Sequence, residues 1–415
     1  MNQITIEIFH GGRWHLAATY QSGASLSYDI DYALAHMDAD LPLMRVGMNY
    51  PINFTDYQEN GWSAFLLDLL PAGAARDAWV KRIGLKDDET ADWPLLCFAA
   101  GNSPGNLRIA SSVIERNSDH PGFTREEIVE RNIDFIDYAE AQGAIIAGAS
   151  SVQGQAPKFL LVQDDSGRWH AEGALDDSKV RQHWLVKFPR GRTEADRTVL
   201  RNEAPYYEVA RIFGIRTGAA LEYQDDALFI RRFDRYVISG GVDRYGMESI
   251  TSLCGINTFG ARMVNDDICQ VICRHVSNPQ TELLEYIRRD ILNLALGNTD
   301  NHGRNTALLK KPDGSIELSP LFDFAPMFLD PEGIPRVSRW NHETPGGMPD
   351  FGKIVAAVAG QVIAPAELRA WLAEEAVKVR QLPEMMRTCG VDDEVVEKMA
   401  RRITELEGSL REVGQ

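Results

Sequence analysis

Residues 283–323 constrain the fold most strongly, because they place a helix-like repeat, a polar loop and a hairpin in direct succession. Gly297 ends the repeat, and the loop 298–305 contains only polar residues and glycine. Short apolar segments on either side of the turn 311–314 predict a β-hairpin, and Asp323 follows the second of them. The repeat itself has the spacing of one helix face: Leu284, Ile287, Ile291 and Leu294.

This layout is typical of a site for metal-assisted phosphoryl transfer. Asp300 can orient a hydroxyl nucleophile and accept its proton, and the amide oxygen of Asn305 can bind Mg²⁺. The hairpin brings back Asp323, whose carboxylate is a second ligand that Mg²⁺ accepts. An alternative stays open, in which Asp300 and Asn305 only cap helix ends in a polar connection.

Three upstream segments fit the same chemistry. Lys187 lies near the end of a predicted strand, where a phosphate-pairing lysine would lie, and Glu203 begins a helix predicted over 202–213. The loop 150–158 holds Gly154 among small residues, so its backbone amides could cradle phosphates. Each segment alone also fits an ordinary surface lysine, a first-turn glutamate or a plain hairpin loop. Their order along the chain, however, is that of a protein-kinase-like phosphotransferase.

Composition limits the remaining classes of protein. The 415-residue chain is 44% hydrophobic and 25% charged, which excludes a largely disordered or collagen-like chain. Its 43 Lys+Arg against 60 Asp+Glu give a formal charge of −17, so we expect it to reach DNA only through a basic partner. Five scattered cysteines and the lack of a membrane-length apolar stretch predict a soluble, cytoplasmic protein. Cys269 and Cys273 are expected in a core rather than at a zinc ion.

We predict an α+β protein with strands in its first 235 residues and mainly helix after them. A polar stretch around Pro121 predicts a domain boundary near residue 140, although this stretch could also be a loop inside one domain. The predicted parts are a small α/β domain over 1–140 and a kinase-like catalytic domain over 141–415. The second part is expected to divide into a nucleotide-binding lobe, 141–235, and a helical lobe, 236–415.

In their residues, these segments resemble the HipA family, the serine/threonine kinase toxins of bacterial toxin–antitoxin pairs. The resemblance covers nearly the whole chain, through 65–71, 103–108, 151–158, 186–189, 202–203, 232–235, 297–305 and 318–323. It implies a protein-kinase-like two-lobed core behind a small N-terminal domain. It also implies transfer of the ATP γ-phosphoryl group to a protein hydroxyl.

The resemblance assigns roles to single residues. Asp300 is the implied catalytic base, and Asn305 and Asp323 are the implied Mg²⁺ ligands. His302 is expected to brace the loop, with a role as an alternative base left open, and Lys187 is expected to contact the ATP phosphates. Further nucleotide contacts are implied at Val152, Gln153, Gly154, Lys158, Arg231 and Phe233.

Regulation and partners also follow from the resemblance. Autophosphorylation is implied at Ser151, with Ser150 as its competitor, and it would switch the kinase off. The implied partners are a small helix-turn-helix antitoxin (HipB-like) and a protein substrate, for which an aminoacyl-tRNA synthetase is the family's example. Arg231 departs from the family, which often has an acidic residue there, and 246–275 matches the family poorly. A related kinase without a toxin role and an inactive nucleotide-binding module stay open as alternatives.

Overall fold

The computed structural model describes residues 2–23, 25–58, 61–113, 119–142, 145–146, 158–360 and 362–413. Contacts divide the chain into two compact units. The first unit comprises 1–191, 221–259 and 308–316, and the second comprises 192–220, 260–307 and 317–415. The predicted boundaries near 140 and 235 stay predictions.

A five-stranded antiparallel sheet opens the first unit. Its strands are β1 (Gln3–His10), β2 (Arg13–Gln21), β3 (Ser25–Tyr28), β4 (Tyr57–Gln58) and β5 (Leu107–Ile109), in the order β4-β3-β2-β1-β5. The alternation of Ile4, Ile6 and Ile8 predicts a strand and the structure confirms it, with all three side chains buried in the core. The accompanying helices are α1 (Ile30–His36), α2 (Leu66–Leu69), α3 (Gly73–Ile83) and α4 (Asp92–Ala99).

A second antiparallel sheet follows in the same unit. Helices α5 (Arg125–Val129) and α6 (Ile133–Ala141) precede it, and Phe135 packs in its core. Its strands are β6 (Ile145–Ile146), β7 (Lys158–Asp164), β8 (Trp169–Ala171), β9 (Val180–Lys187), β10 (Glu222–Gln224) and β11 (Ala227–Arg231). The order is β10-β11-β9-β7-β6, with β8 paired to β7. Strands predicted at 159–162, 183–188 and 227–230 are thus confirmed.

Strands continue beyond residue 235, where the sequence predicts mainly helix. Strands β12 (Arg235–Ile238) and β13 (Gly241–Arg244) form a hairpin, and β14 (Gly246–Ser249) follows. The hairpin turns at Gly240, whose φ of +84° is a left-handed conformation that glycine adopts without strain. The pairing overrides the helical expectation for this segment.

Helices dominate the second unit. The longest helices there are α7 (Glu194–Phe213), α10 (Pro279–Leu296), α12 (Pro365–Thr388) and α13 (Asp393–Val413). Helix α7 begins eight residues before the predicted start, because Thr193 and Asp196 form a capping box. On α7, Asn202 donates to Asp392 Oδ2 at 3.0 Å and accepts from the Asp392 backbone N–H at 2.9 Å, which ties α7 to the start of α13.

The remaining elements are short. They are α8 (Ile250–Leu253), β15 (Met263–Val264), α9 (Asn265–His275), β16 (Ala307–Lys310), β17 (Ile316–Leu318), β18 (Ser338–Arg339) and α11 (Phe351–Val358). Strands β14, β16 and β17 form a three-stranded sheet, and β15 pairs with β18. Cys269 and Cys273 lie on α9, where Cys269 is buried. None of the helices in the described ranges has the length and apolar character that a membrane crossing requires.

Candidate active site

The polar loop 298–305 begins at a sharp helix end. Gly297 caps α10 with a φ of +67°, and a Cβ there would lie 2.7 Å from the Phe328 ring and 2.9 Å from Met399 Sδ. Both the backbone conformation and the crowding therefore require glycine at this position. The direction in which the loop leaves α10 is set by this one residue.

Two backbone hydrogen bonds hold the loop against the segment that carries Asp323. The Phe328 N–H donates to Gly297 O at 3.0 Å, and the Ser319 N–H donates to Ala307 O at 2.8 Å. The first bond joins the residue before the loop to a residue after Asp323. The second bond joins a residue after the loop to a residue before Asp323. The two segments therefore run antiparallel, bonded at both ends, and Asp323 lies between the bonds.

Contacts inside the loop join Asp300, His302 and Asn305. The Asn305 N–H donates to His302 O at 2.9 Å, and Asn305 Nδ2 donates to Asp300 O at 2.8 Å. His302 Nε2 lies 3.4 Å from Asp300 Oδ1. Because Asp300 O is only an acceptor, it fixes which end of the Asn305 amide is the nitrogen. The loop thus brings three of the predicted catalytic residues into direct contact.

The amide oxygen of Asn305 fits a cation ligand. It is buried and accepts no hydrogen bond among the described residues. An unsatisfied buried acceptor is costly in a folded protein, and a carboxamide oxygen is a ligand that Mg²⁺ accepts. The residues present at this position therefore fit the predicted metal.

Unsatisfied polar atoms are concentrated in this loop. Among the described residues, buried atoms without a hydrogen-bond partner occur at Asn298, Thr299, Asn301, His302 and Asn305. Native proteins normally satisfy buried polar groups, so such a concentration indicates a site that is completed by a ligand. The capping alternative is therefore less favoured, since a cap would satisfy these atoms.

Asp323 has a strained backbone. Its φ of +53° lies in the left-handed region, which costs a residue other than glycine about 1–2 kcal/mol, less for Asp. The next residue, Phe324, is buried, and its ring lies 5.5 Å from that of Tyr206, whose hydroxyl donates to Leu296 O at 3.0 Å. This packing holds Asp323 in its strained conformation, and backbone strain of this kind is common at functional sites.

A buried carboxylate behind the loop was not predicted from the sequence. Asp290, on α10, accepts from Trp340 Nε1 at 2.7 Å and from Asn301 Nδ2 at 3.4 Å. Burial raises the pKa of the Asp290 carboxyl, and the Arg336 guanidinium opposes part of this rise. In the sequence, Asp290 is one more residue of an ordinary helix. Only the folded chain shows that its carboxylate binds Asn301, the residue next to Asp300.

The first unit, taken by itself, contains a pair of facing lysines. Lys158 on β7 lies directly opposite Lys187 on β9, and both are buried, 9% and 3% exposed. Residues directly opposite each other share one face of a sheet, so the two lysine side chains lie on the same face. Two lysines on one face fit the phosphates of a nucleotide.

Arg231 does not join this lysine pair. On β11 it lies opposite Trp184, three residues along the strand from the Leu228–Lys187 pair. An odd spacing places its side chain on the other face of the sheet. Phe233 follows the strand and is half-buried. The predicted contacts at Val152, Gln153, Gly154, Ser150 and Ser151 lie outside the described residues.

The motif 232–235 has a structural task that the sequence did not reveal. Arg232 and Arg235 form a buried ion cluster with Glu172 and Asp234, in which Arg232 Nε donates to Asp234 at 2.9 Å and Arg235 Nε donates to Glu172 at 3.3 Å. Although burial opposes it, the two guanidiniums hold the pKa of Glu172 well below its usual range. The Gly105 N–H donates to Asp234 at 2.7 Å, so the cluster ties the first sheet to the second.

Comparisons with known proteins agree with this architecture. The family described as HipA-like C-terminal domain matches residues 150–405. The HipA chain in a complex of Shewanella oneidensis HipA, HipB and operator DNA has a similar structure, with a TM-score of 0.66 over 99% of this chain and 97% of that chain, at 17% identity. That likeness shows a shared α+β kinase fold.

Two further proteins are more distant. A Sinorhizobium fredii protein named "Putative kinase Y4mE" is 29% identical over 119 residues, which are 27% of this chain and 28% of that protein's length. The Helicobacter pylori proinflammatory kinase CtkA superposes with a TM-score of 0.39, at 11% identity, over 65% of this chain and 95% of that chain.

Proposed function

This chain belongs to the HipA family, and from that premise we propose that it is an ATP- and Mg²⁺-dependent serine/threonine protein kinase. The observation that carries the proposal is the loop in which Asp300, His302 and Asn305 contact one another, bonded at both ends to the segment of Asp323. The unsatisfied Asn305 oxygen supports a metal at this place.

Each residue has one task in the proposed reaction. Asn305 and Asp323 would hold Mg²⁺, which supplies charge neutralisation on the phosphates when it is bound. Lys158 and Lys187 would neutralise phosphate oxygens by their ammonium groups. Asp300 orients the substrate hydroxyl and accepts its proton. Positioning and electrostatic stabilisation account for the rate, since phosphoryl transfer needs little covalent help from the protein.

The biological setting is proposed from the family. A structural relative is a HipA in complex with HipB and operator DNA, which supports a small helix-turn-helix antitoxin as the partner of this chain. The formal charge of −17 fits a protein that reaches DNA only through such a basic partner. We further propose that a cellular protein, such as an aminoacyl-tRNA synthetase, is the substrate, and that autophosphorylation of Ser151 or Ser150 ends the activity.

Intact mass spectrometry tests the proposal. The purified chain is weighed before and after incubation with Mg²⁺ and ATP, beside Asp323→Ala and beside Asp313→Ala, an aspartate at the exposed hairpin tip. We expect the wild type and Asp313→Ala to carry a phosphate that maps to Ser150 or Ser151, and Asp323→Ala to carry none. If no variant gains phosphate, arrives phosphorylated or binds ATP in a titration, the kinase assignment is wrong.

A further inference from the structure

A cleft lies in the first unit, at the edge of the sheet that carries the lysine pair. It has a volume of about 560 Å³, and we call it the arginine cleft. The residues that matter in its lining are Arg125, Arg168, Trp169, Trp184, Glu222 and Arg231. This volume is in the range of small-molecule sites.

The arginine cleft is separate from the proposed nucleotide site. Trp184 and Arg231 lie opposite each other on β9 and β11, while Lys187 lies opposite Leu228. Successive residues of a strand point to opposite faces, so Trp184 and Lys187, three residues apart, lie on opposite faces. A ligand in the arginine cleft would therefore leave the Lys158–Lys187 face open.

Aromatic rings hold two guanidiniums in place there. The Arg231 guanidinium lies 5.2 Å from the Trp184 ring centroid, and that of Arg125 lies 3.9 Å from the Phe229 centroid. Glu222 bridges them, at 2.6 Å from Arg125 and 3.7 Å from Arg231. Arginine forks fixed in this way lose little side-chain freedom when they bind an anion.

One donor in the lining has no acceptor. The indole Nε1 of Trp184 makes no hydrogen bond among the described residues, although the side chain is only 4% exposed. A buried N–H without a partner is rare and costly. An acceptor oxygen from a ligand in the cleft would satisfy it, since Trp184 is part of the lining.

We propose that the arginine cleft binds a phosphate monoester group. Its lining has three guanidiniums against two carboxylates, Glu126 and Glu222, on a chain whose formal charge is −17. The Arg231 guanidinium covers the face of the Trp184 ring, so an anion at this guanidinium fits better than a ring stacked on Trp184. A phosphate monoester has three terminal oxygens for the donors of Arg125, Arg231 and Trp184, whereas a carboxylate has only two. Phosphate binding in the arginine cleft does not depend on the proposed kinase activity.

The test follows the Trp184 indole N–H by nuclear magnetic resonance. The full chain, labelled with ¹⁵N, contains eight tryptophans, and Trp184→Phe identifies the relevant signal. Inorganic phosphate, a phosphoserine peptide, the same peptide with serine, and acetate are titrated at equal ionic strength. We expect the Trp184 signal to move saturably with phosphate and with the phosphoserine peptide, and to stay in place with the serine peptide and acetate.

Two matched variants make the result specific. Arg231→Gln should weaken phosphate binding by about tenfold or more, the effect of one charge-assisted hydrogen bond. Arg181→Gln removes an exposed guanidinium near the start of β9, outside the lining of the cleft, and should leave binding unchanged. Unmoved signals from the other tryptophans report that each variant is folded. The proposal is wrong if the Trp184 signal ignores both phosphate compounds, if acetate moves it equally, or if the two variants weaken binding alike.

Discussion

Asn305 has one orientation available to its side-chain amide, since its nitrogen donates to Asp300 O at 2.8 Å. Its oxygen is thereby turned into the space that we assign to Mg²⁺. Asn305→Ala is expected to lower phosphotransfer by about 100-fold or more, as the loss of a transition-state contact does. The free energy of unfolding should fall by only about 1 kcal/mol, the worth of one hydrogen bond.

The control for Asn305 is Asn341→Ala, which truncates an exposed asparagine of the same unit. Phosphotransfer rates and urea unfolding are measured for both variants, so that loss of activity is separated from loss of stability. Full activity in Asn305→Ala would remove it from the metal site, and a large loss of stability would make it a structural residue.

Gly297 offers a test of how the loop is positioned. Gly297→Ala combines a left-handed φ of +67° with a Cβ that would lie 2.7 Å from the Phe328 ring. Gly214→Ala, at the end of α7, has a φ of +98° but no atom within 4 Å of the new Cβ. Backbone strain should cost both variants more than about 1 kcal/mol, and crowding should cost Gly297→Ala a further 1–3 kcal/mol or so. Urea unfolding measures the difference, and equal losses would show that the crowding is relieved without cost.

At the scale of elements, helix α10 holds the loop through Asp290. The pKa of this carboxyl is raised by burial, so the folded state binds its proton more tightly than the unfolded state does. Its contribution to stability is therefore largest at acid pH and is lost as the pH rises from about 3.9, the usual Asp value, through the raised pKa.

The amide in Asp290→Asn cannot titrate, so this variant should not show the loss of stability that Asp290 causes in this pH range. We therefore compare the free energies of unfolding of Asp290→Asn and of the wild type at each pH. The difference, variant minus wild type, should increase with pH above the usual Asp pKa. Altered hydrogen bonds add only a constant to this difference. Denaturant unfolding at several pH values measures this difference. A difference that decreases with pH would mean that Arg336, not burial, controls the carboxyl.

Local patterns in the sequence predicted some elements well. The alternation of Ile4, Ile6 and Ile8 marks β1, and the loop 298–305 with Asp323 marks the candidate site, because both patterns depend on neighbours along the chain. The early start of α7 was also readable, since Thr193 followed by Asp196 is a capping signal.

Long-range pairing could not be predicted in the same way. Lys158 and Lys187 become neighbours only through the register of β7 and β9, and a shift of one residue would separate them. The same register places Arg231 on the other face. The sequence contains both strands but does not state how they are aligned, so the lysine pair and the arginine cleft required the folded chain.

At the scale of the whole molecule, the ion cluster joins two sheets that are far apart in sequence. Glu172 contacts both Arg232 and Arg235, and Asp234 binds the Gly105 N–H beside the first sheet. The two acids face the two guanidiniums in a buried place, and His183 lies 3.6 Å from Glu172. Loss of one acid therefore affects the stability of the whole first unit and not only one strand.

Glu172→Gln tests this coupling. It leaves two buried guanidiniums with one carboxylate, and removing one partner of a buried ion pair costs about 3–5 kcal/mol. Glu222→Gln is the matched control, because Glu222 also contacts two arginines but is 36% exposed, and its loss should cost about 1 kcal/mol or less. Urea unfolding should show a much lower midpoint for Glu172→Gln with an unchanged slope, since the same surface is exposed. Similar midpoints for the two variants would mean that the cluster neutralises itself by rearrangement, and that the two sheets are held together by their apolar cores alone.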